Sequence, residues 1–178
     1  ILLGDTDVAI GGGAENMSRA PYASLVARWG ARMGDAKMVD MMVGALHDPF
    51  HNIHMGVTAE NVAAQFGISR DMQDALAVES HNRAERATAA GHFKEQIVPV
   101  MLKSRKGETA FDTDEHFRSG AKLEDFAKLK PVFQKENGTV TAGNASGIND
   151  AAAAVVLMEA GAAQARGLAP LARLVGYA

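Results

Sequence analysis

Gly138-Thr139-Val140-Thr141-Ala142-Gly143-Asn144-Ala145-Ser146-Gly147-Ile148-Asn149-Asp150, running straight into Ala151-Ala152-Ala153-Ala154-Val155-Val156-Leu157-Met158, is the stretch on which the fold turns. Its first half is small and turn-forming, because Gly, Asn and Ser accept tight backbone geometry. Its second half is an apolar run far short of the roughly 20 residues that span a bilayer. That run reads as a fully buried strand segment. The small residues 144–147 have two readings that composition leaves open. They form either a backbone that an extended ligand can approach closely, or a tight turn before a buried strand.

Downstream, Glu159 to Arg166 reads as a short helix stopped by Gly167, followed by Pro170 and a strand-like close, Leu171 to Ala178. At the other end, Asp7-Val8-Ala9-Ile10 reads as a short buried strand stopped by Gly11-Gly12-Gly13. These two strand–helix zones bracket about 120 residues, far more than an ordinary connection. The class is therefore α/β, with a long insertion. The chain opens without an initiator Met and closes on an end-strand that would lack a partner. The expectation is a piece of a longer protein.

Within the insertion, Ala36 to Leu46 reads as a helix with Met38, Met41, Met42 and Ala45 on one face. Thr58 to Phe66 is a second helix, closed by Gly67. Ser69 N-caps a third, with Asp71 in its first turn and an apolar face of Met72, Ala75, Leu76, Ala84 and Ala87 before Gly91. Ile97 to Leu102 reads as an edge strand, because Pro99 cannot donate to a ladder. Residues 103–135 are charge-rich and read as an excursion over a surface.

The 178 residues are 47% hydrophobic and 22% charged, which excludes wholesale disorder. Lys and Arg number 18 against 21 Asp and Glu, so no basic surface for nucleic acid is expected. Neither a membrane partner nor a secretory signal is expected, and the cytoplasm is the expected location. With Cys 0, the chain can supply neither a thiol nucleophile nor a thiolate metal site. His47, His51 and His54 would share a face on an unbroken helix, but Pro49 interrupts it, so no metal site is expected. One polar histidine in a substrate pocket is the preferred reading. Gly11-Gly12-Gly13 lacks the third glycine of a dinucleotide loop and reads as close backbone packing. Taken residue by residue, the sequence contains no complete catalytic set.

Three strings in collinear order resemble a thiolase: Gly11 to Ser18 (Gly-Gly-Gly-Ala-Glu-Asn-Met-Ser), His54 to Asn61 (His-Met-Gly-Val-Thr-Ala-Glu-Asn), and Gly138 to Asp150. His-Asp-Pro-Phe-His at 47–51 is similar to bacterial β-ketothiolases that take chains longer than acetyl. The resemblance implies a thiolase fold of two βαβαβαββ halves. Residues 1–18 would end the N-terminal domain and 19–140 would form its inserted loop domain. Residues 141–168 would return as its last strand and helix, and 169–178 would begin the C-terminal domain with its first strand. It also implies an acetyl-CoA C-acyltransferase that condenses or thiolytically cleaves 3-oxoacyl-CoA through a cysteine acyl-enzyme. The catalytic cysteine, histidine and second cysteine would lie outside this chain, leaving it inactive alone.

Under the same resemblance, the chain carries the coenzyme A surface and needs no further cofactor. Leu46, His54 and Met55 would line the pantetheine and acyl pocket, and Phe133 would pack on the coenzyme. Arg118 would meet its nucleotide end. Ala142, Ala145, Ser146 and Gly147 would let the pantetheine arm pass close to backbone. Asp125 and Phe126 stand where related enzymes carry serine and methionine, and are left outside this set. Acetyl-CoA and 3-oxoacyl-CoA are the implied partners, and a homo-oligomer, dimer or tetramer, is implied for the full enzyme. The alternative, from another class, is a non-catalytic acyl-CoA or lipid-binding protein of thiolase type.

Overall fold

The computed structural model describes residues 1–177. In chain order its elements are β1 (Val8–Asn16), β2 (Tyr22–Ser24), β3 (Met38–Asp40), α1 (Met41–Ala45), α2 (Met55–Phe66) and α3 (Arg70–Ala89). They continue with β4 (Val100–Ser104), β5 (Gly107–Phe111), α4 (Leu123–Ala127), β6 (Asp150–Met158) and α5 (Ala160–Ala165). The class is mixed α and β. The chain divides into two compact units, residues 1–21 with 148–178, and residues 22–147. No helix among the described residues is long and apolar enough to cross a membrane.

The first unit is built on an antiparallel pair, β1 with β6, in register from Val8 opposite Met158 to Asn16 opposite Asp150. β1 does not stop at the glycines as the sequence implied. It runs through all three, paired with Val155, Ala154 and Ala153, and only at Gly12 is the approach close. A Cβ on Gly12 would lie 2.9 Å from the Ala153 carbonyl oxygen. The expectation of close packing at this run thus holds at Gly12 alone, and the expected strand end does not hold. Asp150 closes the ribbon by accepting from the Ser18 amide at 2.9 Å and from the Ser18 hydroxyl. Those two bonds, the hydroxyl's first, hold its carboxyl below the usual aspartate range.

The run Ala151 to Met158, expected to be fully buried, is exposed along nearly its whole length. A two-stranded ribbon of glycine and alanine has too little side-chain volume to make a core. Ile10, Val155 and Val156 accordingly remain exposed. α5 is capped by the Glu159 carboxylate, which accepts from the Ala162 amide at 2.8 Å, and is stopped by Gly167 at φ +66°. The strand expected at the close is absent among the described residues: Leu171 to Tyr177 pair with nothing and are exposed.

The second unit carries α2 and α3, which hold the site. α2 begins three residues earlier than expected, because His54 serves as its N-cap: its Nδ1 accepts from the Gly56 amide at 2.9 Å. Gly67, left-handed at φ +64°, ends it as expected. Ser69 caps α3 by accepting from the Met72 amide, also as expected. The apolar face proposed for α3 is not its buried face. Met72 and Leu76 are exposed, and the one fully buried side chain on the helix is Asp74.

Two further expectations change. Met38 to Asp40 is strand rather than helix and pairs with β2, because Asp40 N-caps α1 by accepting from the Met42 amide and so fixes the helix start at Met41. The edge strand begins after Pro99, at Val100, and pairs with β5. Pro99 thus sets its boundary rather than lying within it. Nor is 103–135 wholly a surface excursion, since Phe126 on α4 is 1% exposed and forms the core with Ala63, Val140 and Thr141.

Candidate functional site

The loop from Gly138 to Gly147 is held from beneath by two buried carboxylates. Glu60 on α2, 3% exposed, accepts from the Thr139 and Val140 amides at 2.9 Å and from the Thr139 hydroxyl at 2.6 Å. Burial pushes its pKa up, but the Thr139 hydroxyl and the Val140 and Thr139 amides outweigh it and hold the carboxyl below the ordinary glutamate value of 4.5. Asp74 on α3 accepts from the Arg70 Nε at 2.7 Å and from the Asn144 Nδ2 at 2.9 Å. The Arg70 guanidinium also donates to the carbonyls of Phe126 and Leu129, at 2.7 and 2.9 Å.

Asn144 locks the turn itself. Its Oδ1 accepts from the Thr141 amide at 2.8 Å, and its Nδ2 donates to the Thr139 carbonyl at 2.9 Å. Gly143 is buried, and a Cβ there would come within 2.8 Å of the Phe126 ring. No other residue fits without displacing the core. The polar groups of the loop are thus turned inward onto α2 and α3. Ala142, Ala145 and Ser146 are left exposed, with small side chains and accessible backbone. Gly147 packs against the His116 ring, leaving no room for a side chain.

Leu46, His54, Met55 and Phe133 come together at the start of α2. The Met55 amide donates to the Leu46 carbonyl at 2.8 Å, and His47 and His54 form a β-bridge across the intervening turn. The His54 ring stacks on Phe133 with centroids 4.7 Å apart and planes 27° apart. Phe133 also fills the space that a Cβ on Gly56 would need, so glycine at 56 is what admits the ring. Leu46, His54 and Phe133 are half-buried, and Met55 is exposed. The three histidines do not converge: His47 and His54 face each other at 5.3 Å, whereas His51 turns out to Asp48 at 2.8 Å. Among the described residues no group of three His, Cys, Asp or Glu is placed to hold a metal.

Arg118 is exposed, with its guanidinium 5.8 Å from the centroid of Phe126. Its amide donates to the His81 Nδ1 at 3.1 Å. The position lies two residues from His116, which touches Gly147, so the Arg118 segment and the small-residue loop are joined through that ring. Phe126 itself is sealed in the core. Asp125 is exposed and pairs with Lys128 at 3.0 Å, a contact of little energetic weight at the surface. A shallow depression among Leu25, Val26, Trp29, Arg32 and Met33 includes none of the site residues.

The buried carboxylates Glu60 and Asp74 and the bracing amide of Asn144 were not singled out from sequence. Glu60 is marked only by the string at 54–61, Asn144 only by the string at 138–150 and as the start of the small-residue stretch 144–147, and nothing marks Asp74.

Comparison with known proteins bears on this arrangement. The family described as "Thiolase, N-terminal domain" matches residues 1–161. The chain is 72% identical over 177 residues to the beta-ketothiolase BktB of Cupriavidus necator, covering 99% of this chain and 45% of that protein. It is 55% identical to the acetyl-CoA acetyltransferase of Paracoccus denitrificans, covering all of this chain and 45% of that one. The chain thus spans a little under half the length of these relatives.

Among solved structures, the acetyl-CoA acetyltransferase of Syntrophomonas wolfei superposes with a TM-score of 0.87 at 48% identity, covering 96% of this chain and 43% of that one. Human mitochondrial 3-ketoacyl-CoA thiolase in complex with CoA superposes with a TM-score of 0.84 at 38% identity, covering 95% and 42%. The thiolase fold expected from the three strings is therefore the fold of this chain. By family model, by relatives and by fold, the chain belongs to the thiolase family.

Proposed function

We propose that this chain is the coenzyme A-binding segment of a longer acyltransferase that condenses or thiolytically cleaves 3-oxoacyl-CoA. The observation that carries the reading is the 138–147 loop. Glu60 and Asn144 consume its polar groups on the inner side, while Ala142, Ala145 and Ser146 offer exposed backbone on the outer side. A pantetheine arm is long, thin and dotted with amides, and a rigid surface of small residues lets it lie close to backbone at little entropic cost. Half-buried Leu46, His54 and Phe133, with the exposed Met55, then give an apolar and aromatic floor for the acyl and pantetheine end. Arg118 supplies a guanidinium for the nucleotide end, by a charge-assisted contact to phosphate or by stacking on adenine.

The chemistry in this reading is a cysteine thiolate attacking the thioester, a histidine activating that cysteine, and a second cysteine moving a proton on the incoming acetyl-CoA. With Cys 0, none of the thiols comes from this chain, whose part is to bind and orient the thioester. In the same reading, residues 1–18 and 141–168 belong to the N-terminal catalytic half, 19–140 to its loop domain and 169–178 to the C-terminal half. The whole enzyme is a cytoplasmic homo-oligomer of fatty acid metabolism.

Thiolysis of acetoacetyl-CoA, followed by loss of its enolate absorbance, tests this directly. The complete polypeptide that contains the segment should turn over, and the pure 178-residue chain should not. Turnover by the 178-residue chain would overturn the placement of the thiols. Saturable acyl-CoA binding without turnover by the complete polypeptide would favour the non-catalytic binding protein instead.

A further inference from the structure

Arg118 is exposed and lies on a segment with no regular structure, yet that segment is tied to one face of α3. The His81 Nδ1 accepts from the Arg118 amide at 3.1 Å, and the Glu85 carboxylate accepts from the Gly120 amide at 2.8 Å. Between them, the Asn82 side-chain amide donates to the Ala121 carbonyl at 3.4 Å. His81 and Glu85 stand one helical turn apart, on the stripe that also carries Arg70 and Asp74. This helix face is therefore a clamp for the 118–121 backbone. The His81 ring, tilted at 59°, and the Arg118 guanidinium both neighbour the buried Phe126 ring, the imidazole centroid at 5.7 Å and the guanidinium carbon at 5.8 Å from its centroid.

We propose that His81 is a positioning residue, whose Nδ1 fixes the Arg118 backbone and thereby aims the Arg118 guanidinium at the nucleotide end of coenzyme A. The proposal rests on the reading of Arg118 given above. Accepting at Nδ1 requires the neutral tautomer with its proton on Nε2, so a protonated His81 loses this bond.

The groups around the ring make protonation harder still. Burial comes first, then the charges of Arg118 and His116 from the facing segment, and together they hold His81 below its ordinary 6.5. On its own helix, the Glu85 carboxylate is already engaged by Gly120. α4 presents the ring of Phe126, while its Asp125 pairs with Lys128. The positioning bond is therefore intact above pH 6.5 and is lost as pH falls through the lower value of the folded protein.

The test uses the complete polypeptide and reads KM for coenzyme A and kcat separately, from pH 8 down to pH 5.5. His81→Leu, which cannot accept, should raise KM about fivefold at pH 8, the worth of one net hydrogen bond, with kcat little changed. His81→Gln, which keeps a non-titrating acceptor, should restore KM and abolish the rise in KM on the acid side. An unchanged KM in His81→Leu, or a wild-type acid-side rise in His81→Gln, would overturn the proposal. If the leucine variant fails to fold, the pH profile of the glutamine variant decides alone. Arg118→Gln separates the two layers. If it leaves KM unchanged, the coenzyme reading of Arg118 fails and this proposal with it. If it raises KM while His81→Leu does not, only the positioning role fails.

Discussion

Asp74→Ala is expected to lower stability by about 3 kcal/mol, the lower part of the range for breaking a buried ion pair. The physical reason is what the substitution leaves behind. Arg70 would lose its carboxylate partner at 2.7 Å, and the Asn144 Nδ2 would lose an acceptor at 2.9 Å. Arg70 is about one-fifth exposed and keeps the Phe126 and Leu129 carbonyls, which is why the cost sits low in the range. Asp74→Asn keeps the shape and one acceptor, so about 1 to 2 kcal/mol is expected for it. The check is the urea midpoint followed by far-ultraviolet circular dichroism, since α2 and α3 supply most of the helix. Equal midpoints for wild type and Asp74→Ala would show that the pair braces nothing.

Glu60→Ala should cost a comparable amount, about 3 kcal/mol, because two amides and a hydroxyl lose a charged acceptor at once. It also carries a pH signature. The folded carboxyl titrates below its ordinary 4.5, so the stabilisation it contributes is fully present above 4.5. That stabilisation is lost as pH falls through the lower folded value, where the unfolded chain has already taken up its proton. Glu60→Gln should therefore be less stable than wild type at neutral pH and should converge on it at acid pH. A constant gap between the two across pH 3 to 7 would sink this account. Because Glu60 holds the loop that carries Ala142, Ala145 and Ser146, the same variants should also weaken binding of coenzyme A.

How much of this was legible in the sequence divides along a physical line. Signals that act within a turn or two read correctly: Ser69 as a cap, and Gly67 and Gly167 as stops. The three quoted strings located the family, and with it the fold. Features decided by partners far along the chain did not read. Whether β1 crosses its glycines depends on a partner strand more than a hundred residues away, and whether Ala151 to Met158 is buried depends on what packs against it.

The site shows the same division. Small residues at 144–147 left a ligand-facing backbone and a tight turn both open, and nothing in composition distinguishes Asp74 or Glu60 from a solvated acid. Their meaning lies in contacts to Asn144, Thr139 and Val140, 70 to 80 positions away. His81 was hidden for the same reason, since its partner is 37 positions distant.

Hydrogen exchange of the complete polypeptide, with and without saturating coenzyme A, tests the central claim most directly. Slow-exchanging amides report local opening, and a ligand that contacts backbone suppresses it. The expected result is slowed exchange at residues 142–147, at 118–121 and at the start of α2 around 54–57. Protection confined to other segments, with these three unchanged at saturation, would contradict the assignment of the coenzyme surface to this chain.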